Sequence, residues 1–398
     1  MAAQVFDAWP KRVVVGAGAA STVGEELQAL GRKRALVVTD GGVRSIPAFA
    51  RLLSALRASL PVVEVYDGVP GNPSDADVEG LVAVMRRVQP EALVAVGGGS
   101  PIDAAKCANL VFTHGGNPLD YAQGGPGAAS VGWQGASTAV GRLLPLVAVP
   151  TTAGTASEVT SVSVIVDAER GRKVSIGGPH LVPDVSVLDA ELTVSLPPHL
   201  TAYTGMDACT HLVEAYVSSV GFAPADGVAL AGLGLIGRAL PAAVARPDDL
   251  EAREQMLLTA MMGGVAFNHN RLGLVHAMAH QLSTVCGLHH GLANALLLPW
   301  VMGFNLTAAP RKFAQIAHAL GVGDDAASPE AAGVAGIAFI TRLERAIGIP
   351  WSLAEAGVSA DDIPAMVELA LVDSALRRNP RPVTAQDVEQ LYRAALVG

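Results

Sequence analysis

Aromatic side chains make up only 4% of this sequence and charged ones only 16%. With few aromatics available, Ala, Val, Leu and Gly must do most of the core filling. With half the chain apolar and so little charge, a disordered, solvated chain is excluded. No Lys/Arg run occurs and the net charge is −9, so the electrostatic footprint of a nucleic-acid binder is missing. Small diffusible substrates are the expectation. Cysteine is also sparse: Cys107, Cys209 and Cys286 are odd in number, far apart and outside CxxC spacing. That excludes a disulfide framework, suits a reducing cytoplasm, and makes each a small buried apolar residue rather than a ligand. No uninterrupted apolar run reaches the roughly 18 residues of a membrane span, so no membrane association is expected. Lys11-Arg12 precede the apolar run Val13–Ala20 in the order of a signal peptide. Asp7 and Pro10 upstream and two interrupting glycines make it a strand and turn instead.

What is present has a clear order. The 398 residues allow two domains. In the first half, the strand-like runs Arg34–Thr39, Val62–Tyr66 and Ala92–Val96 alternate with helical periodicity over Ala48–Ser59, Asp75–Val88 and Pro101–Phe112. Leu146–Val149 and Val185–Leu188 add two apolar strands. Strands separated by helices imply βαβ units and a parallel sheet. After Pro197-Pro198, long Ala/Leu/Met segments with helical spacing replace the strands. The expectation is an α/β dinucleotide-binding domain over 1–194 and an all-α, metal-binding domain over 195–398. The Gly/Ala/Ser-rich stretch Gly124–Gly141 reads as a surface loop.

Two glycine-rich segments could meet a nucleotide. Gly16-Ala17-Gly18-Ala19 lacks the third glycine of a dinucleotide fingerprint and is better read as a turn. Gly97-Gly98-Gly99-Ser100-Pro101 follows the strand Ala92–Val96 directly, and Pro101 suits a first helical turn. Bare glycine backbone there lets a pyrophosphate approach a helix N-terminus, where free N–H groups and the dipole favour anions. Asp40 ends the strand RALVVT. It can accept from ribose hydroxyls and repel a 2′-phosphate, which favours NAD over NADP. It fits a turn or cap before Gly41-Gly42 equally well on local grounds.

A cation site is written more densely. Asp207 and His211 stand at i and i+4 on one helical face in an apolar stretch. Further on, LGLVHAMAHQLSTVCGLHHGLAN holds His276, His280, His289 and His290, four of the ten histidines. Four imidazoles together point to ligation or proton transfer, although spacing alone does not choose among them. A carboxylate with several imidazoles suits Fe2+ or Zn2+.

The segments GGGSPIDAAK (97–106), PTTAGTASEVT (150–160), TAYTGMDACTHLVEAYVS (201–218), GLVHAMAHQL and HHGLANALLLP, in this order and separation, resemble the iron-dependent, group III alcohol dehydrogenase family over nearly the whole chain. The resemblance implies the iron alcohol dehydrogenase (dehydroquinate synthase-like) fold and NAD(H)-linked hydride transfer to a short aldehyde, or from its primary alcohol. It implies that Asp207, His211, His276 and His290 bind the metal and that His280 is a proton relay near the nicotinamide. It also implies cofactor contacts from Asp40, Asn72, Gly98, Gly99, Ser100, Asp103, Thr151, Thr152, Thr155 and Lys173. A homodimer is expected. The pattern is broken where His269, Asn270 and Arg271 replace small residues and where His289 replaces a proline. Arg271 with its two neighbours is a candidate for binding an anionic group on the substrate, a carboxylate, phosphonate or sulfonate; an ordinary ion pair is the plainer reading. Maleylacetate reductases and 3-dehydroquinate synthases are the alternative enzymes on this fold. A non-enzymatic nucleotide binder would be expected to have lost a ligand, and none is missing.

Overall fold

In a computed structural model of the chain, residues 9–122 and 142–398 are described. The loop expected over 124–141 lies outside them. The chain forms two compact units, one of residues up to Thr152 with Ala156–Ser195, the other of Ala153–Thr155 with Leu196–Gly398.

The strands of the first unit are β1 (Val13–Val15), β2 (Arg34–Val38), β3 (Val62–Tyr66), β4 (Ala92–Gly97), β5 (Leu146–Pro150), β6 (Val162–Asp167), β7 (Arg172–Gly177) and β8 (Val185–Leu188). Six of them make one parallel sheet in the order β1-β8-β5-β4-β2-β3, while β6 and β7 pair as an antiparallel hairpin. The central strands β4 and β5 are buried at every residue, as continuous apolar runs covered on both faces should be. The helices between strands are α1 (Val23–Ala29), α2 (Gly41–Arg44), α3 (Pro47–Ser59), α4 (Asp75–Val88) and α5 (Gly99–His114). Strand periodicity divides the core between them. Leu36, Val38, Leu93 and Ala95 pack with Leu81, Met85 and Ile102 of α4 and α5. Ala35, Val37, Val94 and Val96 face the other way, onto Leu27 of α1 and Phe49 and Leu52 of α3. Each such Leu or Val, fully buried, contributes about 1.5–3 kcal/mol.

The strand order reverses between β2 and β4, so a crevice at their carboxyl ends is where a parallel sheet of this kind accepts a ligand. The chain leaves β4 through Gly97 at φ +154, where a Cβ would sit 2.5 Å from Pro101 Cγ. Only glycine allows that close turn into α5. Deeper on α5, Lys106 is buried, its Nζ donating to the carbonyls of Thr160 and Val162 at 2.8 Å each. Burial pulls its ammonium down to about 8 against the opposing pull of Asp103 and Glu158.

The second unit is helical: α6 (Pro198–Val217), α7 (Ala223–Ala245), α8 (Leu250–Asn270), α9 (Leu274–Val285), α10 (His290–Leu306), α11 (Pro310–Ala319), α12 (Pro329–Ala346), α13 (Ile363–Val372) and α14 (Ala385–Val397). The central helix α6 is buried along almost its whole length and packs on α7, α8 and α10. Among the described residues, α7 is long and apolar enough to cross a membrane by length and composition; here its buried positions face α6 and α8. A Cβ on Gly291 would lie 2.2 Å from the Tyr203 carbonyl oxygen, so the first turn of α10 approaches α6 as closely as backbone allows.

Candidate active site

In the first unit, Asp40, Gly98 and Gly99, and Thr151 and Thr152 follow the carboxyl ends of β2, β4 and β5. Gly98 is the N-cap of α5, and its Cα lies beside Thr152, whose Oγ1 would be 3.3 Å from a Cβ there. Thr151 N–H donates to the Gly97 carbonyl at 3.0 Å, locking the ends of β4 and β5 together. Asn72 takes the left-handed conformation (φ +52), and its N–H donates to Ser100 Oγ at 3.2 Å. Asp40 caps α2 by accepting from Val43 N–H at 2.8 Å. Asp103 points inward: it accepts from Ser157 Oγ and, at 3.0 Å, from Val164 N–H, tying α5 to β6. Burial pushes its carboxyl up, and Lys106 and the two hydrogen bonds oppose the push. Lys173 lies on β7, and its charge adds to that opposition. Thr155 falls in the second unit.

In that second unit, α6, α9 and α10 converge on one carboxylate oxygen. Asp207 Oδ1 lies 3.7 Å from Nε2 of His211, of His276 and of His290 alike. Ligand atoms of Asp207, His276 and His290 fall within 4.8 Å of one another, and His211 joins them through the shared Asp207 oxygen. Burial alone would raise the Asp207 carboxyl; the three imidazoles outweigh it and hold the group far below the usual carboxylate range. Burial, aided by His276, pushes His211 down to about 4, against the pull of Asp207. His276 is instead pushed up to about 9, because Asp207 and Glu214 together overcome its burial.

One carboxylate and three imidazoles are a donor set for a first-row divalent cation. A second observation fits a cation as well. Asn294 Nδ2 sits 2.7 Å from Asp207 Oδ1 and 3.2 Å from Nε2 of His276 and His290, while its buried Oδ1 has no hydrogen-bond donor among the described residues. An amide NH2 turned on one carboxylate oxygen and two imidazole nitrogens at once marks a cluster of acceptors, which a cation would satisfy.

Three supporting groups escaped the reading of the sequence. Glu214 Oε2 accepts from His276 Nδ1 at 2.6 Å, and its Oε1 accepts from Val275 N–H at 2.6 Å. This fixes the ring so that Nε2 is the atom offered to Asp207. Its signal was present: Asp207, His211 and Glu214 stand at i, i+4 and i+7 on one face of α6. Asn294 lies one turn beyond His290 and could have been found the same way. Asp373, which accepts from His280 Nδ1 at 2.8 Å, comes from 93 residues away and left no local signal. His280 stacks on His290, with ring centroids 5.4 Å apart and 15° between planes.

The residues that break the family pattern are placed as follows. Asn270 is buried; its Nδ2 donates to the Ala215 carbonyl and to Asp226, and its Oδ1 accepts from Phe222 N–H. His269 is buried, with Nδ1 2.8 Å from the Val265 carbonyl. Both are used inside the helical unit. Arg271 ends α8 at φ +70 and ψ 178, a region close to glycine-only, and among the described residues no carboxylate pairs with it. Burial and the like charge of Arg378 lower its guanidinium. His289 packs on Tyr203, ring centroids 5.4 Å apart.

A family model described as iron-containing alcohol dehydrogenase matches residues 10–190, and one described as the C-terminal part of the Fe-containing alcohol dehydrogenase family matches 201–396. The chain is 44% identical over 382 residues to a 1,3-propanediol dehydrogenase of Klebsiella pneumoniae, covering 96% of each. It is 38% identical over 387 residues to an NAD-dependent methanol dehydrogenase of Bacillus methanolicus, covering 97% of this chain and 98% of the other. Among solved structures, a 1,3-propanediol oxidoreductase superposes with a TM-score of 0.93 at 42% identity, over 99% of this chain and 100% of that one.

Proposed function

The chain belongs to the iron-containing alcohol dehydrogenase family, and from that premise we propose that it interconverts a short primary alcohol or diol and its aldehyde. It is a metal-dependent, NAD-linked oxidoreductase. The observation that carries the reading is the single oxygen of Asp207 equidistant from three imidazole nitrogens.

We assign residues 1–194 to the cofactor and 195–398 to the metal and the reacting carbonyl. When bound, the divalent cation (iron(II), with zinc(II) as the alternative) supplies Lewis-acid polarisation, and NADH supplies the hydride. Asp207, His211, His276 and His290 would hold the cation. Asn294 steadies the Asp207 carboxylate, and Glu214 holds His276 in the tautomer that offers Nε2. Gly98, Gly99 and Ser100 at the start of α5 would receive the dinucleotide, its pyrophosphate against free N–H groups, with Asn72, Asp103, Thr151, Thr152, Thr155 and Lys173 as the further cofactor contacts. Asp40 would take the adenosine ribose and disfavour a 2′-phosphate. His280 exchanges the alcohol proton. We further infer a cytoplasmic homodimer, on the reduced-thiol composition and the apolar character of the chain; light scattering on the purified protein tests the dimer.

The test of the function is anaerobic reconstitution with Fe(II) or Zn(II) and measurement of NADH oxidation against a panel of short aldehydes. Turnover that needs both metal and aldehyde is expected. Stoichiometric metal with no aldehyde-dependent oxidation would overturn the reading.

A second reading is favoured by one observation, that Arg271 feels the like charge of Arg378 and has no carboxylate partner among the described residues: a substrate that carries an anionic group. Arg271→Ala then raises KM for an anionic aldehyde far more than for a neutral one of equal length. Equal effects on the two remove this reading and leave the neutral diol or alcohol.

A further inference from the structure

Two carboxylates each hold one imidazole of the histidine cluster by its Nδ1. Glu214 does so for His276, a metal-ligand candidate. Asp373 does so for His280, which is not in the ligand set. The Asp373 carboxylate is itself held at several points. Its Oδ1 accepts from Ala375 N–H at 2.9 Å as the cap of the short helix Ser374–Arg378, and its Oδ2 is shared by His280 Nδ1 at 2.8 Å and Gln281 Nε2 at 3.3 Å. Helix α13, which ends at Val372, packs on α9, as does the short helix that follows. The last quarter of the chain thus delivers a fixed carboxylate to the ring of His280.

We propose that Asp373 is the positioning residue of the reaction: it fixes His280 in the Nδ1–H tautomer and holds its ring over His290. This rests on the proposed dehydrogenase reading. With Nδ1–H committed to Asp373, the only lone pair on the ring is at Nε2. In alcohol oxidation the substrate C–H bond breaks as hydride leaves for NAD+, the O–H electron pair forms the carbonyl, and the hydroxyl proton passes to His280 Nε2. In aldehyde reduction the same proton returns to oxygen after hydride transfer from NADH. An imidazole with its proton on Nε2 has no lone pair there to accept it. Asp373 touches neither substrate nor cofactor in this scheme; it acts through His280, as the buried carboxylate of a hydrolase triad acts through its histidine.

The experiment uses full-length protein loaded with Zn(II), which is diamagnetic, and labelled with 15N at histidine, with His280→Asn identifying the His280 signals. Long-range 1H–15N spectra of the wild-type protein should show His280 with a protonated Nδ1 and an unprotonated Nε2. In Asp373→Asn, whose amide has nearly the carboxylate's size and can still cap Ala375, the tautomer should shift toward Nε2–H. Its kcat should fall about 10²-fold, with metal stoichiometry and aldehyde KM unchanged, and Asp373→Glu should recover part of the loss. An unaltered His280 tautomer in Asp373→Asn, or a kcat within threefold of wild type, overturns the proposal. So does loss of metal in step with kcat, which would make Asp373 a scaffold residue only. Failure of wild-type protein to oxidise NADH with any aldehyde would strike the dehydrogenase reading instead, and the tautomer spectra would still report on Asp373.

Discussion

His276 stands between two carboxylates, Asp207 and Glu214, and that arrangement sets how a cation enters. In the metal-free protein its proton is held until pH rises through about 9. Coordination needs the Nε2 lone pair, because Nδ1 already faces Glu214. Loading below that pH therefore expels one proton, and apparent affinity should rise about tenfold per pH unit toward pH 9, then flatten. Zn(II) competition against a chelator across that range checks it, and a flat response would be the wrong outcome. The same raised value makes His276 a stabiliser of the metal-free fold below its ordinary value, an effect lost as pH rises through about 9. Much of this site was legible in single residues. Asp207 with His211 and the run of four histidines marked a cation site from spacing, and family resemblance chose among the imidazoles. Asp373 was not legible, because its partner is distant in sequence and an aspartate before a short helix looks like any cap.

At the scale of elements, the site depends on how closely α10 lies on α6. Gly291, next to His290, has no room for a side chain: the Cβ of alanine would stand 2.2 Å from the Tyr203 carbonyl. Gly291→Ala must push the start of α10 outward and carry His290 from Asp207. The expected result is a loss of about 1–3 kcal/mol of stability together with weakened metal binding, read by thermal melting and metal analysis on the same sample. Melting lowered with full metal affinity would mean that α10 shifts as a whole without moving its first residue. Strand and helix positions were largely visible in apolar periodicity: β2, β3 and β4 fall where short β-branched runs end at Asp or Gly. The hairpin of β6 and β7 went unread, although Val162–Asp167 alternates and Gly171 at φ +60 makes the turn. Helix α8 extends through Asn270, since His269 and Asn270 find buried partners that local pattern does not reveal.

At the scale of the whole chain, the change in texture near Pro197-Pro198 was the visible sign of a sheet-based unit giving way to a helical one, because strands and helices demand different apolar periods. What composition did not disclose is how each unit manages polar groups in its interior. Lys106 is the clearest instance in the first unit. Of five lysines in the chain, it alone is buried, with Nζ engaged by two carbonyls, while Lys33 is open to solvent. An amine-acylating reagent can reach Lys106 only while α5 is parted from the β6 segment, so this amine is a built-in stopwatch for opening of the nucleotide unit. Peptide mass spectrometry of a timed acylation should find Lys33 modified early and Lys106 orders of magnitude later, with NAD+ slowing Lys106 further if the dinucleotide seats on α5. Comparable rates at the two amines would show that the segment breathes freely. The stopwatch needs no metal, no turnover and no label introduced by mutation, which lets the folding of one unit be timed while the chemistry of the other is silent.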